Sequence, residues 1–263
     1  MNISSAIFYG SAPDLDSCPD ESLPEFAFIG RSNVGKSSLL NLLAGKQGLA
    51  RVSTTPGFTK LINIFVINKT WRLVDLPGYG FAQVARANRS KFNQAVDDYI
   101  RHRPNLSCVF ALIDSCIPPQ KMDVEFIEWL TRNAVPFVLV FTKTDKGPTA
   151  ARQGNIDAFM ARIGGWFEKP PAFFTCSSTT RQGREALLGV IEETLAALEF
   201  EAPAAAEAAT EGSAPPPARP ELEEEVGRVP DDVARPALEA RPRGQTGNGR
   251  SRGGKRPNPG RPW

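Results

Sequence analysis

The sequence predicts an α/β protein built on a six-stranded, mostly parallel sheet with one antiparallel edge strand and helices on both faces. Three observations predict it. From Phe26 to about Leu198, short runs rich in β-formers alternate with stretches whose apolar residues recur every three to four positions, the signature of βα units. The first of these runs passes through a glycine-rich turn straight into a helical pattern. Two later runs, 61–67 and 71–76, are separated only by Asn68-Lys69-Thr70, too short a connection for a parallel crossover, so they pair as an antiparallel hairpin.

The elements follow in order. FAFI (26–29), LINIFVI (61–67), WRLVDL (71–76), CVFALID (108–114), PFVLVFT (136–142) and AFFTC (172–176) are the strand candidates. Between them SSLLNLLA, RSKFNQAVDDYI, DVEFIEWLTRN, a stretch around 149–166 and REALLGVIEETLAALE carry helical spacing. These runs define a domain over residues 24–200, preceded by an N-terminal extension, 1–23. Beyond Phe200 the chain turns to EAPAAAEAATEGSAPPPARPELEEE and then RPRGQTGNGRSRGGKRPNPGRPW. With almost no large apolar side chain to bury, a segment of that composition does not offset its ordering entropy, so 201–263 is expected to be a disordered, solubilising tail.

Composition sets the class. The chain has 263 residues, 41% of them hydrophobic and 23% charged, enough for one packed domain of roughly 200 residues with something extra. Its net charge of +2 exerts no global pull toward DNA or a membrane. The charge is unevenly placed: residues 1–200 carry 21 basic and 19 acidic residues, 201–240 carry 3 and 10, and 241–263 carry 7 and none. The tail is thus an acidic Ala/Pro-rich block followed by a basic Arg/Gly-rich one. Cys18, Cys108, Cys116 and Cys176 show no C-x-x-C spacing and read as ordinary reduced thiols. No apolar run spans a bilayer, and the first basic residue is Arg31, so neither a signal peptide nor a transit peptide is expected and the default compartment is the cytoplasm.

The chemistry sits in four motifs. Gly30-Arg31-Ser32-Asn33-Val34-Gly35-Lys36-Ser37 is a full match to G-x-x-x-x-G-K-[ST] between a strand and a helix. Its backbone N–H groups and the helix N-terminus face phosphates, Lys36 reaches the β and γ oxygens, and Ser37 offers a hydroxyl to Mg²⁺. Asp75-Leu76-Pro77-Gly78 ends a strand, where the carboxylate can hold Mg²⁺ through water and the Gly78 N–H can sense a γ-phosphate. Between them TTPGFT (54–59) is a loop rich in turn formers, in which a Thr hydroxyl, from Thr54, Thr55 or Thr59, can complete the metal shell. Thr142-Lys143-Thr144-Asp145 follows a strand, and its carboxylate accepts two N–H bonds from the Watson–Crick edge of guanine, a pairing adenine lacks; the nucleotide is therefore GTP or GDP rather than ATP. Cys176-Ser177-Ser178 follows the last strand, placed for a backbone N–H to meet the guanine O6. Tyr79 stands after Gly78, where Ras-type proteins carry the glutamine that orients the attacking water.

Together GRSNVGKSSLLN, TTPGFTKLIN, VDLPGYGFA, FTKTDK and CSSTTRQG, spread over about residues 20–198, closely resemble the EngB family of GTP-binding proteins, the YihA/YsxC group. The resemblance implies a Ras-like P-loop GTPase fold and a role in large ribosomal subunit assembly, with normal cell division and septation depending on it. It implies phosphate contacts from Gly30 to Ser37 and from Gly57, Phe58, Thr59, Lys60 and Leu61, with Mg²⁺ on Ser37 and Thr59. It further implies a γ-phosphate side at Asp75 to Gly78, and base contacts from Thr142 to Asp145 and Cys176 to Ser178. Lys36, Thr59 and Gly78 would act on the phosphate being transferred. Members often read GYGYAK and D-x-R-H where this chain has Gly80-Phe81-Ala82-Gln83 and Asp114-Ser115-Cys116-Ile117. Relatives that lack the glutamine hydrolyse slowly alone and are completed by a partner or a monovalent cation. Asn33 stands where K⁺-using relatives place a coordinating Asn; the alternative is that it only braces the 54–59 loop. Arg86, Arg89, Lys91, Arg101 and Arg103 can contact rRNA phosphates but read better as a solvated helix face. His102 has no partner constellation and no assigned role. The expectation is a monomeric, slow, Mg²⁺-dependent GTPase acting on the large subunit or its precursor. Its rival is a GTP-regulated scaffold with negligible turnover.

Overall fold

The computed structural model describes residues 1–20, 22–50, 61–79 and 86–210, without the side chains of 86–93 and 199–210. The strands are β1 (Ala6–Ala12), β2 (Glu25–Gly30), β3 (Ile62–Ile67), β4 (Trp71–Asp75), β5 (Leu106–Asp114), β6 (Phe137–Thr142) and β7 (Phe173–Thr175). The helices are α1 (Lys36–Leu43), α2 (Arg86–His102), α3 (Lys121–Arg132), α4 (Thr149–Ile163) and α5 (Arg184–Thr210), with a 3₁₀ turn at Gly164–Trp166. The sheet order is β1-β3-β4-β2-β5-β6-β7.

Every pair from β4 through β7 is parallel, and antiparallel pairing is confined to the β1 side of the sheet. The hairpin β3–β4 turns through Asn68 and Lys69, both at positive φ (50° and 62°), the conformation whose twist matches that of paired strands. The sheet has seven strands rather than six, because residues 6–12 of the presumed N-terminal extension pair with β3. β1 escapes a period-2 reading because it lies at the edge: Ile7, Phe8 and Tyr9 are all exposed, and its register shifts between Phe8 and Gly10.

β2 is buried on both faces, and its side chains divide the core. Phe26 and Phe28 point to the side where Leu39, Leu40 and Leu43 of α1 pack with Leu187, Leu188 and Ile191 of α5. Ala27 and Ile29 point to the other, with Tyr99 of α2, Ile127 and Leu130 of α3, and Ile156 and Phe159 of α4. Arg184 at the start of α5 donates to the carbonyls of Leu42 (2.9 Å) and Leu43 (3.0 Å), satisfying acceptors at the end of α1 that the helix itself leaves open.

Two further expectations change. Helix α5 continues past Phe200 to Thr210, where Ala and Glu, good helix formers, prolong a helix already anchored by its apolar face; the rest of the tail, 211–263, lies outside the described residues. Arg103 is not on a solvated face: it is 6% exposed and donates to Glu25 Oε1 (2.7 Å) and Oε2 (2.9 Å). Glu25, fully buried at the start of β2, also receives Arg72 Nη1 (3.1 Å) and the Tyr99 hydroxyl (2.5 Å). A carboxylate at that depth needs this many donors. Arg101 pairs with Asp97 and lies over the Trp129 ring. His102 is exposed, 4.0 Å from Asp98.

Candidate functional site

Of the five parallel strands, β2, β4, β6 and β7 end on the same side of the sheet where the motifs begin, as ligand sites of open α/β sheets do. Gly30 closes β2. Asn33 turns at φ 63° and Gly35 at 103°; Gly35 is the N-cap of α1, in a conformation that side-chain-bearing residues rarely adopt. No side chain caps α1, so its first-turn N–H groups keep their capacity for an anion. Lys36, 8% exposed, directs its ammonium onto Asp75 Oδ1 at the end of β4, and Asn63 Nδ2 stands 3.4 Å from Asp75 Oδ2. Ser37 is half-buried one residue further along. Its hydroxyl and the Asp75 carboxylate are oxygen donors of the kind Mg²⁺ takes.

Leu76 and Pro77 are buried, and Leu76 N donates to Phe28 O at 3.0 Å, which carries the chain after β4 across the end of β2. There it meets the phosphate loop: a Cβ on Gly78 would lie 2.7 Å from Gly30 O, so only glycine fits that approach. Arg31 and Tyr79 form a parallel β-bridge. The Tyr79 hydroxyl donates to Asp123 Oδ1 at 3.0 Å, on α3. Burial beside the Asp123 charge pushes the phenol well above its ordinary range, so it remains a donor.

The base motifs are joined to each other and to the phosphate loop. Thr142 Oγ1 donates to Val34 O at 2.6 Å. Lys143, at φ 62°, has its ammonium 2.5 Å from Asp114 Oδ2. Thr144 N donates to Cys176 O (3.2 Å), and Cys176 N to Phe141 O (2.8 Å). Asp145 is exposed, and a hydrogen bond from buried Ser177 holds its carboxyl below the usual range. Cys176 is 1% exposed and Ser177 is fully buried, so of 176–178 only Ser178 is exposed. Burial pushes the Cys108 and Cys176 thiols up to about 12 and that of Cys18 to about 11, in keeping with unreactive reduced cysteines.

Gly57, Phe58, Thr59 and Lys60 lie outside the described residues, as do Thr54, Thr55 and 80–83; Leu61, just before β3, is exposed. Asn33 is exposed, and its side chain makes no hydrogen bond among the described residues. Sequence reasoning missed the bracing residues. Asp114 and Ser115 lie in the loop already noted for departing from D-x-R-H. Asp114 takes Lys143, and Ser115 donates to Thr142 O at 2.7 Å. Asp123, whose only signal was an acidic residue at the start of a helix, takes Arg31 and Tyr79.

Comparison with known proteins agrees with this geometry. Residues 25–143 match the family model described as 50S ribosome-binding GTPase. The chain is 47% identical over 192 residues to the probable GTP-binding protein EngB of Bacteroides fragilis, covering 73% of this chain and 96% of that one. It is 48% identical over 193 residues to the corresponding protein of Porphyromonas gingivalis, again over 73% and 96%. In fold it is similar to Era solved with MgGDPNP and nucleotides 1506–1542 of 16S ribosomal RNA, with a TM-score of 0.52 at 19% identity, over 66% of this chain and 57% of that one. Among the described residues no helix is long and apolar enough to cross a membrane. The chain belongs to the EngB family of GTP-binding proteins, P-loop GTPases of Ras-like fold.

Proposed function

We propose that this protein is a slow, Mg²⁺-dependent GTPase that acts in the cytoplasm as a switch in large ribosomal subunit assembly, binding the precursor in its GTP state and leaving it after hydrolysis. The family likeness extends the role to normal cell division and septation. The observation that carries the slow-switch reading is the direction of Tyr79. The position after Asp75-x-x-Gly78 spends its polar group on Asp123, 3.0 Å away on α3, rather than on a water at the phosphate. The rest of the machinery converges on one sheet end: Lys36, Ser37, Asp75 and Gly78 for the phosphates, Asp145 and Ser178 for guanine. Ser37, with Thr59 outside the described residues, would hold Mg²⁺, which neutralises charge on the phosphate oxygens. Support for the partner comes from the description of the matching family model, a 50S ribosome-binding GTPase.

With no group to hold the water, hydrolysis by the protein alone should fall in the range of intrinsic Ras-type rates, about one turnover in tens of minutes. A group supplied in trans is worth on the order of 10³ to 10⁵ in rate, so large subunits or their precursors should raise turnover. K⁺ held by exposed Asn33 would supply part of that effect. The test is single-turnover hydrolysis in K⁺ and in Na⁺, with and without purified subunits, on parent and Asn33→Ala. The expected result is slow turnover alone, stimulation by subunits, and a K⁺ effect that Asn33→Ala abolishes while GDP binding persists. Fast turnover in Na⁺ by the protein alone would sink the switch reading, and turnover that no subunit raises would favour the scaffold.

A further inference from the structure

A buried carboxylate that belongs to neither the phosphate nor the base site lies beside the phosphate loop. Asp123, in the first turn of α3, is 2% exposed. Arg31 Nε donates to both of its oxygens at 3.1 Å, and the Tyr79 hydroxyl donates to Oδ1 at 3.0 Å. The Tyr79 ring lies 4.6 Å from that of Phe126, further along α3. The two residues that Asp123 holds are not equivalent bystanders. Arg31 follows Gly30 in the phosphate loop, Tyr79 follows Gly78, and the two are already bridged through their backbones. Between them Gly78 approaches Gly30 O so closely that a methyl group would collide.

A carboxylate buried this deeply is costly unless its oxygens are matched, and the match here requires Arg31 and Tyr79 to stay together. Moving Tyr79 off α3 leaves Oδ1 short of a donor and pulls on the peptide that carries Gly78. Keeping it in place fixes the Gly78 N–H relative to the phosphate loop. We infer that Asp123 is a positioning residue for the γ-phosphate side of the site: through Arg31 and Tyr79 it sets how well the protein distinguishes a nucleoside triphosphate from a diphosphate.

The inference rests on reading the site as a guanine-nucleotide switch, and its test separates the two. Affinities for GDP and for a non-hydrolysable GTP analogue are measured by titration at saturating Mg²⁺ on the full chain, Tyr79→Phe, Asp123→Asn and the double variant. An ion pair with only a structural role would weaken both nucleotides by the same factor. A positioning role should lower the affinity for the analogue relative to GDP by about 5- to 10-fold, as losing one ordinary hydrogen bond does, with GDP itself changed by less than about twofold. The double variant should be no worse than the more severe single variant, because both act through the same link between Asp123 and Tyr79. Tyr79→Phe keeps the ring on Phe126 and decides the matter if Asp123→Asn does not fold. Equal weakening of both nucleotides would overturn the inference alone, whereas failure of the unaltered protein to bind either nucleotide would overturn the switch reading and the inference with it.

Discussion

At the scale of single residues, the site works by giving each charged group a fixed neighbour. Lys36 rests on Asp75, and Lys143 on Asp114. The neighbouring Ser177 hydroxyl lowers the Asp145 carboxyl below the usual range, so it stays ionised to lower pH than a free aspartate and keeps accepting hydrogen bonds across the neutral range. Being exposed, it adds little to folding. Replacing Asp145 with Ala should therefore leave the melting temperature nearly unchanged. The loss of two charge-assisted hydrogen bonds, roughly 1.5–3 kcal/mol each, should weaken GDP binding by at least 100-fold. Calorimetric titration checks it, and GDP binding as tight as the parent's would remove Thr142–Asp145 from the base site.

At the scale of elements, the Glu25 cluster joins strands and helix at the end of the sheet away from the phosphates. It draws Arg72 from β4, Tyr99 from α2 and Arg103 from just beyond α2 onto the first residue of β2, and Arg103 also reaches the carbonyl of Pro19 at 2.9 Å. Burial alone would push the Glu25 carboxyl up, but the hydrogen bonds from Arg103, Tyr99 and Arg72 outweigh it and hold it below the ordinary range. A folded-state pKa below the unfolded value adds stability that is present above the unfolded value and lost as pH falls through the folded one. Glu25→Gln should cost roughly 3–5 kcal/mol at neutral pH, the usual effect of stripping one partner from a buried pair. The variant's stability should also fall less steeply on acidification below about pH 4.5. Urea denaturation at neutral and acid pH measures both, and an identical acid slope in parent and variant would assign the acid sensitivity to other carboxylates.

At the scale of the whole molecule, the last fully buried side chain among the described ones is Ile191, early in α5, with Leu195 partly buried against the same cluster. Residues 211–263 bring only a few large apolar side chains but a block of acid followed by a block of base. Removing 211–263 should thus leave the thermal midpoint and GDP affinity nearly unchanged. A drop of many degrees by scanning calorimetry would show that the segment packs on the domain.

What the sequence determined by itself was whatever depends on neighbours along the chain. The spacing Gly30 to Ser37, with a strand before it and a helix after, requires only local backbone geometry, as does the Asn68–Lys69 turn between β3 and β4. Six of the seven strands were legible because each is a run of β-formers. The tertiary structure alone decided what depends on partners far away in the chain. β1 is a strand only because β3 offers it an open edge, since its own side chains are mostly in solvent. Arg103 and Glu25 are 78 residues apart, Arg31 and Asp123 are 92 apart, and Tyr79 and Asp123 are 44 apart. Nothing in the spacing of a charged residue says whether it will meet solvent or a buried counter-charge. That choice is made when the strands pair and the helices close over them, because only then does the loss of water make an unmatched charge too costly to keep.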